Sequence, residues 1–367
     1  MRIFMSAGEA SGDAHGAPVI EALRSRVPGV TIEGVGGPRM AAAGLAAIAP
    51  IQTLSVVGLV EAIRSVPVHV RALATIEQMF RRNDYDLAIL IDYPGFHLRV
   101  AAAARRAGIP VLYYIAPQLW AWGAWRAKAL RKNVRSLAVV LPFEERFFRM
   151  HGIAAEFVGH PLLDRPPART RQSLRSELCV AEQTPVLGVF PGSRRQEVAR
   201  LWPAFRGAAA ILRSERPELQ ALVGGVSGVA YPGAEGFRIW QDRARDVMTA
   251  ADVAICKSGT TTLEAVLAGT PMVVAYMMHG ISYAVARRVV KLRHVSLVNL
   301  LAARRVAKEL LQRDVTAGNL AAALRPLLDP SGPAAAEQRR AFSEIRVSLG
   351  TPGAGVRVAE MAHRLVA

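Results

Sequence analysis

The chain has 367 residues, 51% hydrophobic and 20% charged, a composition that excludes an intrinsically disordered protein and suits two buried cores better than one. A formal net charge of +17 points to polyanionic partners, whether nucleic acid, phosphorylated small molecules or an anionic membrane surface. Only five of the 46 basic residues are Lys and the Arg are scattered along the whole chain, which reads as compositional bias, so no nucleic-acid partner is expected.

The first apolar run, Arg2–Ala7, is too short for a signal-peptide core and passes at once into Gly8-Glu9-Ala10-Ser11-Gly12-Asp13, so a cytoplasmic setting is expected. That loop joins a strand to a helix. Its glycines permit a tight turn and Ser11 or Asp13 suits a helix cap; acceptor binding and a plain cap weigh equally on spacing alone. A second strand is predicted at Thr31–Val35. The apolar stretch Leu54–Ile76 is interrupted by Glu61, Arg64, Pro67, His69 and Arg71, short of the roughly 18 uninterrupted residues of a membrane span. It suits a helix lying on a membrane or packed on a sheet. Asp84-Tyr85-Asp86 imitates a metal-binding Asp-x-Asp but precedes its strand, so it reads as a solvated turn, and no metal is expected.

The strand Leu87–Ile91 ends on Asp92, a carboxylate at the carboxyl edge of an apolar run, placed either to act as a general base or to cap the turn at Pro94-Gly95. After the strand Val111–Ile115 comes Pro117-Gln118-Leu119-Trp120-Ala121-Trp122-Gly123-Ala124-Trp125-Arg126, whose aromatic residues beside Arg suit a sugar face, an acyl chain or a membrane interface. A further strand is predicted at Leu137–Leu141. The lone His160 reads as a structural hydrogen-bonding residue.

The polar, proline-bearing stretch from Pro161 to Thr184 marks a domain boundary, and a second series of strands follows at Val186–Phe190, Leu219–Val223, Ala251–Ile255 and Met272–Ala275. The first of these runs into Pro191-Gly192-Ser193-Arg194, where Ser193 suits a helix cap and Arg194 adds a fixed charge; a diphosphate contact is the favoured reading. The third runs into Lys257-Ser258-Gly259-Thr260-Thr261-Thr262-Leu263-Glu264. Its amides can hold phosphate while Glu264 accepts from ribose hydroxyls, although Glu264 also fits a capping box begun at Thr260 or Thr261. No Walker-type loop and no Gly-x-Gly-x-x-Gly is present, and Cys179 and Cys256 lie far apart without metal-type spacing. The pattern predicts an α/β protein of two Rossmann-like βαβ domains facing across a cleft, residues 1–165 and 184–345, with a helical tail at 346–367.

Taken in order, Gly8-Glu9-Ala10-Ser11-Gly12-Asp13, Gly36-Gly37-Pro38-Arg39-Met40, Ile91-Asp92-Tyr93-Pro94, Ala116-Pro117-Gln118-Leu119-Trp120-Ala121-Trp122, Leu141-Pro142-Phe143-Glu144, Phe157-Val158-Gly159-His160-Pro161, Pro191-Gly192-Ser193-Arg194 with Glu197-Val198, Ser258-Gly259-Thr260 with Leu263-Glu264, and Val295-Ser296-Leu297 with Asn299-Leu300-Leu301 resemble the lipid-A-disaccharide synthase family over nearly the whole chain. The resemblance implies a GT-B fold and metal-independent, cofactor-free transfer with inversion. It implies UDP-2,3-diacylglucosamine as donor and 2,3-diacylglucosamine 1-phosphate as acceptor, the product being a β-1,6-linked disaccharide. It also implies a peripheral position on the anionic inner face of the cytoplasmic membrane, with a homodimer compatible. On this sequence it makes Asp92 the base and Arg194 the catalytic group that stabilises departing UDP, and gives the donor to Gly192, Ser193, Arg194, Ser258, Gly259, Thr260, Thr261, Glu264 and Asn299. The acceptor falls to Gly8, Glu9, Ser11, Gly12, Asp13, Gln118 and Trp122. Another GT-B enzyme of UDP-N-acetylglucosamine, a peptidoglycan-type transferase or a 2-epimerase, is the competing expectation. Val298 stands where the family usually carries Pro, and the region from Val223 to Asp246 is shorter than usual.

Overall fold

The computed structural model describes residues 1–50, 66–82, 84–165, 169–278 and 293–366. The chain forms two compact units, Met1–Arg165 with Leu349–Ala367, and Pro166–Ser348.

In the first unit seven strands, β1 (Arg2–Ala7), β2 (Thr31–Gly36), β3 (Ala46–Pro50), β4 (Leu87–Ile91), β5 (Val111–Tyr114), β6 (Ser136–Val139) and β7 (Ala155–Phe157), make a parallel sheet in the order β3-β2-β1-β4-β5-β6-β7. Between and after them run α1 (Ala10–Arg26), α2 (Pro38–Ala43), α3 (Val66–Arg82), α4 (Pro94–Arg106), α5 (Leu119–Trp122), α6 (Ala127–Asn133) and α7 (Pro142–Met150). Helices cover both faces, so the central strands are apolar throughout; every residue of β4, Leu-Ala-Ile-Leu-Ile, is buried. One core cluster joins Phe4, Leu90, Phe96, Val100, Tyr113 and Leu137 across the sheet and α4.

The second unit holds α8 (Arg171–Glu177), β8 (Val186–Phe190), α9 (Arg195–Glu215), β9 (Gln220–Gly225), β10 (Arg238–Gln241), α10 (Ala244–Ala250), β11 (Val253–Lys257), α11 (Thr260–Ala268), β12 (Met272–Tyr276), α12 (Leu297–Ala302), β13 (Lys308–Leu311), α13 (Ala317–Leu324) and α14 (Pro333–Ser348). Its parallel sheet runs β10-β9-β8-β11-β12-β13. The tail expected at 346–367 is not a separate appendage. Its helix α15 (Ala354–Val366) packs on α1 in the first unit, where Gly355 sits so close to Pro18 that an added Cβ would meet it at 2.8 Å.

Among the described residues four strands beyond the nine expected are present, β3, β7, β10 and β13, and each lies at an outer edge of its sheet. The apolar stretch Leu54–Ile76 falls mostly outside the described residues; its last part belongs to α3, where Val68 and Val70 are exposed.

Each sheet reverses its strand order at one place, between β1 and β4 in the first unit and between β8 and β11 in the second. Ligands of open parallel sheets bind beyond the carboxyl ends of the strands at such switch points. The loops flanking the first are those after Ala7 and Ile91; the loops flanking the second are those after Phe190 and Lys257.

Candidate active site

At the first switch point the loop after β1 is shaped by contact with β4. A Cβ on Gly8 would meet the Tyr93 ring at 2.2 Å, and one on Gly12 would meet Ala7 at 3.1 Å, so the glycines let α1 and the Tyr93 ring close over the strand ends. Glu9 is the N-cap position of α1 but makes no side-chain cap, and Ser11 is exposed in the first turn. Asp13 has a different role from the acceptor contact expected. It is buried, and its carboxylate accepts from the amides of Gly37 and Met40, both at 2.9 Å, and of Arg39 at 3.1 Å. These are the opening amides of α2, so Asp13 caps α2 from α1 and three of its roughly four acceptor positions are used there.

Asp92 follows β4, half-buried, with its amide donating to the Tyr114 carbonyl at 2.9 Å. Both Asp92 and Tyr93 adopt the left-handed region, φ 50° and 52°, a conformation that costs a non-glycine residue about 1–2 kcal/mol and that clusters at functional positions. The Tyr93 hydroxyl lies 3.0 Å from His69 Nε2, and burial, then the charge of Glu9, raises its pKa. In the neighbouring loop Gln118 is exposed, whereas the Trp122 side chain lies outside the described residues. Trp120 donates to buried Glu144 at 2.9 Å; burial raises that carboxyl to about 7 against the pull of the Trp120 and Leu141 donors. Trp125 stands 76% exposed with the Arg126 guanidinium over its ring at 5.1 Å.

At the second switch point Gly192 takes φ 125° and a Cβ there would meet Glu197 at 2.6 Å. Ser193 does not cap α9. Arg194 occupies the N-cap position, neither side chain caps, and the Ser193 amide donates to Glu197 Oε2 at 3.1 Å. Glu197 also pairs with Lys257 at 2.9 Å and lies 3.9 Å from Arg194. The ion pair therefore ties the loop after β8 to the loop after β11. Gly259, at φ 152°, opens α11 without a side-chain cap, leaving Thr260 exposed and Thr261 and Glu264 half-buried in its first turns. Ser258 is committed elsewhere. It is buried and its hydroxyl donates to the Val295 carbonyl at 3.2 Å.

A family profile described as lipid-A-disaccharide synthetase matches residues 3–348. A curated lipid-A-disaccharide synthase of Anaeromyxobacter dehalogenans (strain 2CP-C) is 42% identical over 98% of this chain and 96% of its own length. The chain belongs to the lipid-A-disaccharide synthase family. It is thereby a glycosyltransferase of lipid A biosynthesis. Its fold is similar to that of the UDP-GlcNAc 2-epimerase from Neisseria meningitidis bound to UDP-GlcNAc, with a TM-score of 0.66 at 10% identity and 99% of both chains covered. Spinosyn forosaminyltransferase SpnP is similar at a TM-score of 0.64 and 16% identity, covering 100% of this chain and 98% of that one. These likenesses are of fold alone, two Rossmann-like units of GT-B type.

Within this lipid-A-disaccharide synthase family member, the geometry gives Asn299 a structural task in place of the donor contact expected. It is fully buried; its Nδ2 donates to the Ala307 carbonyl and to Glu309 Oε1, both at 2.8 Å, and its Oδ1 accepts from the amides of Val306 and Ala307. All of its hydrogen-bonding capacity is used inside the chain. Glu197 and Lys257 stand in the two loop motifs without a role read from them, and His97 and Tyr113 were not singled out. Glu197 and Lys257 were within reach, since both stand inside the two loop motifs; His97 and Tyr113 act through backbone contacts that no motif spacing encodes.

Proposed function

We propose that this family member transfers 2,3-diacylglucosamine from its UDP derivative to the 6-hydroxyl of 2,3-diacylglucosamine 1-phosphate, with inversion. The observation that carries the reading is that Asp92 lies at the carboxyl edge of one switch point while Arg194 and the uncapped amino ends of α9 and α11 lie together at the other. A carboxylate at the first suits proton abstraction; amide dipoles and a guanidinium at the second suit a diphosphate.

In this mechanism the Asp92 carboxylate takes the proton of the acceptor 6-hydroxyl as its oxygen bonds to the anomeric carbon of the donor. The bond from that carbon to the UDP oxygen breaks, and its electron pair leaves with UDP. Attack opposite the leaving group converts the α-linked donor into a β-linked product. Arg194 and the amides of Thr260 and Thr261 meet the growing diphosphate charge, and Glu264 accepts from ribose hydroxyls. Glu197, paired with Lys257, holds the two phosphate loops in register.

Both substrates carry acyl chains, and the first unit carries features suited to a membrane surface. No acidic residue occurs between Asp92 and Glu144, whereas Arg126, Lys128, Arg131, Lys132 and Arg135 follow one another beside exposed Trp125. We place the enzyme as a peripheral protein on an anionic surface; among the described residues no helix is long and apolar enough to cross a membrane.

The test is to supply both diacylglucosamine substrates in detergent micelles and analyse the products by mass spectrometry. The reading predicts a tetraacyl disaccharide 1-phosphate with one UDP per turnover. Folded protein that releases no such product would favour another reaction of UDP-sugars.

A further inference from the structure

The left-handed pair Asp92–Tyr93 is held by a closed set of buried partners. The Asp92 carbonyl accepts from the Tyr113 hydroxyl at 2.6 Å and stands 2.7 Å from His97 Nδ1. His97 is fully buried, and its Nε2 lies 2.9 Å from the Ser6 hydroxyl. A carbonyl can only accept, so Nδ1 carries the proton. Burial lowers the His97 pKa to about 4, which keeps the ring neutral near pH 7 and leaves Nε2 bare to accept from Ser6. Each donor of this network then faces an acceptor, from Ser6 on β1 past the end of β4 to Tyr113 on β5. The Tyr93 carbonyl continues the set, accepting from the amides of Phe96 at 3.2 Å and His97 at 3.0 Å to open α4.

We propose that His97 and Tyr113 are positioning residues for the transfer: their two donors pin the Asp92 carbonyl, hold its backbone in the left-handed turn and thereby aim its carboxylate at the acceptor hydroxyl. If the Asp92–Tyr93 peptide rotated toward an extended conformation, the carbonyl would leave both donors and the chain would redirect the strand end that carries the carboxylate. Neither side chain needs to touch a substrate for this. The proposal rests on Asp92 being the base, and the experiment separates the two claims.

Three variants are compared with the unsubstituted chain in the two-substrate assay, with thermal midpoints measured in parallel. Tyr113→Phe removes one donor with little change of volume. His97→Leu removes the other, and His97→Asn restores an N–H near the place of Nδ1. Tyr113→Phe and His97→Leu are expected to lower kcat by about 10- to 100-fold, the scale of a misaimed catalytic group, with KM for both substrates held within about twofold. His97→Asn is expected to recover most of the loss. A kcat for folded Tyr113→Phe within about threefold of the unsubstituted chain would overturn the proposal, as would a loss shared between kcat and KM. Asp92→Asn reports on the base itself. An active Asp92→Asn would remove the assignment on which the proposal rests, whereas an inactive Asp92→Asn beside an unimpaired Tyr113→Phe would remove only the positioning claim.

Discussion

The carboxylate of Glu197 lies 2.9 Å from the Lys257 ammonium, with both side chains about four-fifths buried, next to loops read here as holding a diphosphate. Without Lys257, a partly desolvated negative charge would face the ligand phosphates. Lys257→Met is therefore predicted to raise the donor KM by about tenfold or more, corresponding to about 1.4 kcal/mol of lost binding, with a smaller effect on kcat. Steady-state kinetics at varied donor checks it, and an unchanged KM would contradict it. Asn299 makes the opposite kind of prediction. Because its amide is saturated by Ala307, Val306 and Glu309, Asn299→Leu leaves several buried groups unpaired and should destabilise the fold by about 2–3 kcal/mol. A thermal melt reads that loss; an unchanged midpoint with a raised donor KM would return Asn299 to the donor site. At this scale the places of Asp92 and Arg194 in the fold were legible, because one follows an apolar strand and the other opens a helix, while the roles given to them remain proposals. Asp13 was visible as a cap but its target was not, since α2 is brought to it only by the β1–β2 pairing.

Among the elements, the legible strands were those buried on both faces, whose residues form unbroken apolar runs. β8 reads Val-Leu-Gly-Val-Phe and is buried throughout. The strands that went unread, β3, β7, β10 and β13, are short edge strands: Arg-Ile-Trp-Gln in β10 and Lys-Glu-Leu-Leu in β13 have neither an apolar run nor clean alternation. Their pairing is dictated by the neighbouring strand, a tertiary effect beyond any local window. α15 was likewise readable as a helix, but its attachment to the first unit depends on contact with α1 and could not be seen from its own amphipathic pattern. α6 offers a prediction at this level. Lys128, Arg131, Lys132 and Arg135 are exposed, and beside them Trp125 presents its ring. Binding to vesicles containing anionic phospholipid should weaken as salt is raised and should fall further in Trp125→Ala; salt-insensitive binding that tolerates the substitution would contradict the role given to this surface.

For the molecule as a whole, the buried His97 and His160 and the half-buried His15 of the first unit tie stability to pH. Burial lowers His15 and His97 to about 4 and His160 to about 3, against 6.5 when exposed. As pH falls from 6.5 toward 4 the unfolded chain takes up protons that the folded chain refuses, so these groups withdraw stability across that window. Glu144 works in the other direction. Held at about 7 against 4.5 when exposed, it binds its proton in the folded chain, so its contribution is present below 4.5 and lost as pH rises toward 7. Three histidines outweigh one carboxyl, and the thermal midpoint is predicted to fall on acidification from pH 6.5 to 4.5; a level or rising midpoint would contradict the burial assigned to them.

Whether Asp92 is the base is tested most directly by kcat/KM of Asp92→Asn with both diacylglucosamine substrates. Asparagine keeps the shape and the left-handed preference of the position while removing the proton acceptor. The account predicts a fall of about 100-fold or more, the usual scale for loss of a general base, with donor binding and the thermal midpoint retained. An Asp92→Asn enzyme within about threefold of the unsubstituted chain would contradict it.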